Sequence, residues 1–326
     1  MLFLFAGCSS KSQNEVVVYT STDQVFSEPV LHRFETKTGI KVKPVFDTEE
    51  TKSTGLVNRL IAEKRRPKCD VFWSNDVSRV EILKQKGVLQ PYISPQARNI
   101  PERYKDPEGF WTGFSGRIRV ILVNRNLIKR QDYPHHLMDM CAKRWKGQFA
   151  LANPLFGTTS FHVASLFVLW GDTKAKAFLE KLRQNGRKLA SSNGEVARWV
   201  AMGNVKFGIV DSDDAFAMIK AGYPVEMIIP DQDGMGTLFI PNAVAIIKGA
   251  PHLEAAKKMV DFLLSRETER MLARETCHQI PLHPDVKPPE GLPPLTQIKS
   301  MRVNYQEVAR KMEQIIPYLK DWVSKR

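Results

Sequence analysis

Cysteine is scarce in this sequence, and its spacing excludes a common kind of metal site. The four cysteines are Cys8, Cys69, Cys141 and Cys277. None of them stands in Cys-x-x-Cys spacing, so a structural zinc site is not predicted. If Cys8 is modified, the remaining three cannot all pair with one another. Cys69 directly precedes a predicted strand, where we expect it to be buried.

Long apolar runs and common enzyme motifs are also missing. No apolar stretch after Cys8 is long enough to span a bilayer. The chain has no Gly-x-Ser-x-Gly elbow, no His-Glu-x-x-His pair and no Walker loop. Among the seven histidines only His135 and His136 are adjacent, and nothing places a nucleophile beside them. We therefore predict no catalytic residue and expect a protein that is not an enzyme.

Positive charge is in excess, but it is scattered. The formal net charge is +13, and the short basic runs at 64–66, 143–144 and 257–258 lie in separate segments. There is no RNA-binding aromatic signature and no zinc-finger spacing. We expect no nucleic-acid partner, whereas attraction to an anionic membrane surface is compatible with this charge.

The first eight residues have the pattern of a bacterial lipoprotein signal. A short apolar run is followed by Ala6, Gly7 and Cys8, and then by Ser-Ser-Lys. Small residues before a cysteine suit a lipoprotein signal peptidase, and the thiol is the acylation point. We expect residues 1–8 to be a signal remnant with a lipidated Cys8. The mature protein would then lie in the periplasm or on the outer face of the cytoplasmic membrane.

The remaining chain alternates strands and helices, which predicts an α/β fold with parallel sheets. At 326 residues it exceeds the usual size of one core, so two lobes are expected. In the first third we predict strands at 16–19, 41–46 and 70–73, and helices at 25–38, 51–64 and 77–86. Further on we predict strands at 117–124, 148–152, 206–210, 225–229 and 236–245, and helices at 157–169, 174–185, 195–202, 211–221 and 255–264. The tail from 295 to 323 is predicted to be largely helical.

A series of short motifs resembles a known family. They are Val18-Tyr-Thr-Ser21, Phe34-Glu-Thr-Lys-Thr-Gly-Ile40, Asp70-Val-Phe-Trp73, Gly113-Phe-Ser-Gly-Arg-Ile-Arg119, Trp145-Lys-Gly147 and Asp261-Phe-Leu-Leu-Ser265. In this order they resemble the periplasmic solute-binding proteins of ABC importers, within them the ferric-ion-binding branch, from about 16 to 282. The resemblance implies a two-lobed periplasmic-binding-protein fold of type II, with each lobe a sheet flanked by helices. Hinge strands near 115–123 and 236–244 would join a first lobe (15–115 plus 243–285) to a second (116–242), followed by C-terminal helices (286–326).

The resemblance also implies a ligand site between the lobes, although the residues differ from the family pattern. The family histidine corresponds to Asp23, and the family glutamate to Asn75, with Asp76 beside it. The family's adjacent tyrosines correspond to Asp213 and Asp214. Carboxylates are hard oxygen donors, so Asp23, Asp213 and Asp214 are candidate ligands for ferric iron, calcium or another hard cation. They could equally pair with an organic cation, or Asp23 and one aspartate of the segment 211–214 could serve as helix caps.

This sequence matches the anion-binding residues of the family more closely than the cation-binding ones. Arg117 and Arg119 lie on the strand that resembles the family's anion-binding segment, and a guanidinium suits carbonate or phosphate. Gly157, Thr158, Thr159 and Ser160 open a predicted helix, whose amides and hydroxyls suit an anion. Asn193 matches an anion-contacting asparagine of the family. Simpler roles are open for the same residues: salt bridges for the two arginines, helix capping for residues 157–160 and a turn for Asn193.

The sequence therefore predicts an extracytoplasmic solute-binding component of an ABC importer, with no permanent cofactor. Its ligand is expected to be ferric iron or another hard cation with carbonate or phosphate as a synergistic anion. A phosphorylated or zwitterionic organic solute, such as a sugar phosphate, an aminophosphonate or thiamine, is the alternative. A ligand-sensing lipoprotein and a lipid-anchored hydrolase are minor alternatives. The expected partners are a permease with its ATPase and the membrane, and the protein is expected to be a monomer.

Overall fold

The computed structural model describes residues 14–47, 54–274 and 277–325. Cys8 and the start of the predicted helix 51–64 lie outside the described residues. The strands within the described residues are β1 (Glu15–Thr20), β2 (Lys41–Phe46), β3 (Val71–Ser74), β4 (Leu89–Gln90), β5 (Thr112–Asn124), β6 (Phe149–Ala152), β7 (Lys188–Ala190), β8 (Phe207–Asp211), β9 (Val225–Ile228) and β10 (Phe239–Ile247).

Two groups of parallel strands are joined by two long antiparallel strands. In the first group β1 lies between β2 and β3, and in the second β6 lies between β7 and β8. The strand order is β2-β1-β3-β10-β5-β8-β6-β7, with β4 paired to β10 and β9 paired to β5. Each parallel group forms the sheet of one lobe, because β5 and β10 are the strands that connect them.

Strand β5 passes from one lobe to the other. Its residues 112–118 pair with β10, except for Ser115, whereas residues 119–123 pair with β8. All 13 of its positions are buried, as expected for a strand covered on both faces. The predicted α/β class, with two lobes joined by hinge strands, is therefore confirmed.

Helices cover both sheets. They are α1 (Gln24–Thr38), α2 (Thr54–Ala62), α3 (Val77–Gln85), α4 (Gly157–Gln184), α5 (Asn193–Ala201), α6 (Ser212–Lys220), α7 (Leu253–Leu263), α8 (Arg266–Ala273) and α9 (Tyr305–Ser324). The two helices predicted at 157–169 and 174–185 are the halves of α4, which kinks at Gly171, where φ is 77° and ψ is 163°. Glycine is the residue that takes such angles without steric cost.

The prediction of a largely helical tail from 295 was wrong for residues 298–304. Only a short 3-10 turn, Leu295–Gln297, precedes α9. The chain here is drawn into an extended bridge with Thr237, whose N–H donates to Lys299 O at 2.9 Å and whose carbonyl accepts from Met301 N at 2.8 Å. These backbone bonds replace the helical ones, so tertiary pairing overrides the local helical preference.

Helix α9 then packs against α3 of one lobe and α4 of the other. Its buried face includes Val308, Met312, Ile315 and Trp322. Within the described residues, no helix combines the length and the apolar character that crossing a membrane requires.

Candidate functional site

The carboxyl ends of the parallel strands of both lobes face a common cleft. In the second lobe, the chain leaves β6, β7 and β8 and turns into α4, α5 and α6, so three helix N-termini meet there. In the first lobe, the segments after β1 and β3 bring Thr22, Asp23 and Asn75 to the opposite wall. Ligands of open α/β sheets bind at such strand ends. The cleft has a volume of about 640 Å³.

Most of the site residues predicted from the sequence line this cleft. They are Asp23, Asn75, Arg117, Gly157, Thr158, Thr159, Asn193, Asp213 and Asp214. Asp76, Arg119 and Ser160 are predicted site residues that do not line it. The structure therefore brings together the predicted cation-binding and anion-binding groups.

The acidic part of the cleft is formed where β8 meets α6. Asp211, Asp213 and Asp214 each offer one carboxylate oxygen, and these atoms lie within 4.8 Å of one another. Burial raises the pKa of Asp213 to about 6; Arg117 opposes this rise, whereas the charges of Asp211 and Asp23 add to it. Carboxylates that repel one another in this way are stabilised by a cation.

Asp211 is held by both predicted anion-binding arginines. Arg119 Nη1 donates to Asp211 Oδ1 at 2.7 Å, and Arg117 Nε donates to Asp211 Oδ2 at 3.2 Å. Burial alone would raise the pKa of Asp211, but the two guanidinium groups hold it below its usual value. Burial alone would lower the pKa of Arg117, but the charges of Asp211 and Asp213 raise it above its usual value. Asp211 therefore stays charged and fixes both arginines.

The N-terminus of α4 forms the wall beside these charges. Gly157 has a φ of 54° and follows Phe156, whose side chain makes no capping bond. Thr158 Oγ1 donates to Asp211 Oδ2 at 2.7 Å and accepts from Asn193 Nδ2 at 2.8 Å. Thr159 Oγ1 donates to Asn193 Oδ1 at 3.1 Å. A helix N-terminus rigidly held beside arginines is suited to an anion.

The three predicted residues outside the cleft are buried and make contacts within the protein. Asp76 caps α3 by accepting from Arg79 N at 3.2 Å, and it also accepts from the Ser78 hydroxyl. Arg119 is only 1% exposed. Ser160 Oγ donates to Gly157 O at 2.9 Å. Asp23 is at the N-cap position of α1 but makes no side-chain capping bond, and its side chain lines the cleft.

Several lining residues were not predicted from the sequence. They are Thr22, Phe26, Ala152, Asn153, Phe156, Ser191, Ser192, Gly194, Arg198, Asp211, Ala217 and Gln279. Most of them directly follow a strand or begin a helix, which is a signal that could have found them. Gln279 has no such signal, because it comes from a distant, irregular segment.

This fold, with a polar cleft between two lobes, defines a ligand-binding protein of the hinged two-lobed class. The family model for bacterial extracellular solute-binding proteins matches residues 66–304, so the chain belongs to that family. Iron uptake protein A1 of Synechocystis is 28% identical over 273 residues, covering 80% of this chain and 74% of that protein.

Two solved structures show the same fold. Iron-bound HitA from Pseudomonas aeruginosa superimposes with a TM-score of 0.85 at 20% identity, covering 94% of this chain and 99% of that one. The periplasmic binding protein AfuA from Actinobacillus pleuropneumoniae, with fructose-6-phosphate bound, gives a TM-score of 0.81 at 24% identity, covering 94% and 98%.

Proposed function

We propose that this protein captures a hard cation, ferric iron foremost, together with an anion between its lobes and delivers it to the permease of an ABC importer. The observation that carries the proposal is the group of three carboxylates, Asp211, Asp213 and Asp214, with oxygens within 4.8 Å of one another. One helix needs one capping carboxylate, so three exceed what capping explains. The iron-related relative supports the same ligand class.

The cation would be held mainly by Asp213 and Asp214. Asp211 is already engaged by two arginines, whereas Asp213 lies farther from Arg117, with Oδ2 at 3.8 Å from Nε. Asp23 lines the cleft from the other lobe and would join the coordination on closure. Carboxylate oxygens suit ferric iron and calcium alike, and trivalent charge favours several carboxylates around one ion.

A synergistic anion, carbonate or phosphate, would complete the site. Arg117 offers a planar guanidinium, and the amides of Gly157, Thr158 and Thr159 lie at the positive end of α4. Asn193 is tied to both threonine hydroxyls and would hold this wall in place. The described residues that line the cleft include no tyrosine, so the anion would supply further oxygens to the cation.

A phosphorylated organic solute is a second candidate, and the size of the cleft favours it. A volume of about 640 Å³ is in the range of sites for organic molecules and exceeds what one ion with a small anion fills. Phe26 and Phe156 also line the cleft and offer apolar contact. AfuA with fructose-6-phosphate bound supports this ligand class within the fold.

Closure of the two lobes is the proposed capture mechanism. The ligand would contact Asp23 and Asn75 of one wall and Asp213 and Asp214 of the other, so binding favours the closed state. We propose that the first lobe consists of residues 15–115 and 243–285 and the second of residues 116–242. The C-terminal part would then be residues 286–326. The closed monomer would dock on the permease, and the chain would catalyse no reaction.

We also propose lipid anchoring through Cys8, which keeps the protein at the outer face of the cytoplasmic membrane. In cells labelled with a radioactive fatty acid, the wild-type chain should carry label and partition into detergent. Cys8→Ser should carry none and partition into the aqueous phase. Label on Cys8→Ser would contradict the anchor without affecting the ligand proposal.

Metal retention tests the cation proposal. The unlipidated protein would be dialysed against ferric citrate with and without phosphate or bicarbonate, and retained iron measured by mass spectrometry. We expect about one iron per chain when phosphate or bicarbonate is present, and less iron with citrate alone. Retention of no metal under any of these conditions would contradict the proposal.

A further inference from the structure

The segment that contains Gln279 is fixed to a hinge strand. Gly116 N donates to Ile280 O at 2.9 Å, and Ile280 N donates to Gly116 O at 2.7 Å, forming an antiparallel bridge with β5. Gln279 N donates to Leu272 O at the end of α8 at 2.9 Å. Gln279 is 2% exposed and lines the floor of the cleft. An antiparallel bridge at Gly116 places Gln279 opposite Arg117, which lines the same floor.

A hydrogen-bond chain determines how the amide of Gln279 is oriented. Asn242 Nδ2 donates to Phe114 O and Ser115 O of β5, both at 3.2 Å. Backbone carbonyls only accept, so the nitrogen of the Asn242 amide must face β5. The same Nδ2 donates to Gln279 Oε1 at 2.6 Å, so one of its two hydrogens points to Gln279 and the other is shared by the two β5 carbonyls. The oxygen of Gln279 is therefore directed at Asn242, and its NH2 group is the part left to meet a solute.

We propose that Gln279 is a solute-contacting residue whose NH2 group donates to the anionic part of the ligand, and that Asn242 is its positioning residue. This rests on the proposed function, since it assigns a further contact within the same cleft. An NH2 group offers two donors and no acceptor, so it favours carbonate or phosphate oxygens over a cation. Because Gln279 lies opposite Arg117, its NH2 group extends the anion-binding wall from the N-terminus of α4 to the hinge strands.

The position of Gln279 also links the anion to the hinge. The pairing of β10 with β5 shifts register between Pro241 and Asn242, because Ser115 is an extra residue on β5, so Asn242 stands opposite a β-bulge of that strand. Gln279 is thus bonded through its side chain to β10 and through Ile280 to β5. An anion held there contacts the strands that join the lobes as well as the lobes themselves.

The decisive variant is Gln279→Glu, because it keeps an oxygen for Asn242 and replaces the NH2 group by a second, charged oxygen. Gln131→Glu is the matched control, since it adds the same charge at an exposed position outside the cleft. Gln279→Met keeps the length of the side chain and removes its polar groups. Comparing it with Gln279→Glu separates the effect of losing the donor from the effect of added repulsion.

Titration calorimetry would measure ferric citrate affinity with and without phosphate, and fructose 6-phosphate affinity, for all four proteins. We expect Gln279→Glu to lower the phosphate-dependent affinity about 10-fold to 100-fold and Gln279→Met to lower it less, with Gln131→Glu unchanged. Melting temperatures without ligand should stay close to that of the wild type for Gln279→Glu.

Asn242→Asp tests the positioning role. Its carboxylate cannot donate to Gln279, so the gain in affinity caused by phosphate should fall, while ferric citrate affinity measured without phosphate should not. Equal losses with and without phosphate would indicate a merely structural role and overturn this part. Unchanged phosphate dependence in folded Gln279→Glu and Gln279→Met would overturn the contact itself.

A wild-type chain that binds fructose 6-phosphate but no iron would contradict the proposed cation, while the Gln279 variants would still test the anion contact. A wild-type chain that binds neither would contradict both.

Discussion

Arg117 Nε donates a hydrogen bond to Asp211 Oδ2 at 3.2 Å, and both side chains are buried at the floor of the cleft. Asp211 also accepts from Arg119 at 2.7 Å. Asp213 Oδ2 also lies 3.8 Å from Arg117 Nε, and Asp214 completes a group of three neighbouring carboxylates. The positive and negative groups of the predicted site therefore belong to one connected cluster.

Replacing both outer carboxylates should remove cation binding and leave the fold intact. In Asp213→Ala/Asp214→Ala we expect cation affinity, measured by titration calorimetry, to fall about 100-fold or more, because two direct ligands are lost. The ligand-free protein should melt no lower than the wild type, since the variant relieves repulsion among buried carboxylates. Asp132→Ala, away from the cleft, is the control. A folded double variant with wild-type affinity would remove these residues from the site.

Acidification should stabilise the ligand-free protein through Asp213. Its pKa is raised to about 6 in the folded protein, mainly by burial, against about 3.9 in an unfolded chain. Between these values the folded state binds more protons, so this group's contribution to the free energy of unfolding falls as pH rises. From about pH 7 to about pH 5, the melting temperature of the wild type should rise relative to Asp213→Asn. Parallel pH profiles for the two proteins would contradict this pKa.

Cation affinity should show the opposite pH dependence. Protonation of Asp213 removes a ligand, so affinity should weaken as pH falls below about 6. Titration calorimetry across this range would measure it, with Asp213→Asn expected to show a flatter profile. A wild-type affinity that does not change over this range would exclude Asp213 as a ligand.

Loss of the cleft arginine should remove the dependence on anion. In Arg117→Ala, affinity for the cation should no longer improve with phosphate or bicarbonate, because the guanidinium is gone while Asp213 and Asp214 remain. Arg117→Lys should keep part of the effect, since it retains the charge but not the planar fork. Both variants need a melting curve, because Asp211 loses one of its buried partners. Undiminished anion dependence in Arg117→Ala would place the anion elsewhere.

Much of the fold could be predicted because strand and helix patterns are local. Gly-terminated helices and β-branched strands identified the alternation, and the pattern places polar side chains at strand ends. The resemblance to the family identified Asp213, Asp214 and Asn193, and the predicted helix start identified Thr158; all four line the cleft. Their arrangement around a ligand stays a prediction.

Site residues whose roles depend on contacts between distant segments of the chain could not be predicted from the sequence. Asp211 stands at the start of the predicted helix 211–221 and was not predicted as a site residue, because its contacts with Arg117 and Arg119 form only when β5 pairs with β8. Gln279 enters the cleft because the Gly116–Ile280 bridge draws its segment onto the hinge. Single-sequence patterns carry no information on such long-range contacts.

Tight packing of the hinge strands predicts that Gly116 tolerates no side chain. A Cβ at this position would lie 2.5 Å from Ile240 O and 2.5 Å from the Phe239 ring. We expect Gly116→Ala to lower the free energy of unfolding by about 1–3 kcal/mol, or more if the backbone cannot shift. Gly234→Ala is the matched control, because its Cβ would find its nearest neighbour at 3.7 Å. Denaturant titration would measure both, and equal stability of the two variants would contradict the close approach at the hinge.

The central claim is that the cleft holds a hard cation together with an anion. A thermal-shift titration of the unlipidated protein tests it most directly, with ferric citrate, calcium, phosphate, sugar phosphates, thiamine and aminoethylphosphonate in turn. Ligands that bind only the native state raise the melting temperature. We predict a rise with ferric iron that requires phosphate or bicarbonate. A rise with only a phosphorylated or zwitterionic organic compound, and none with iron, would contradict the claim.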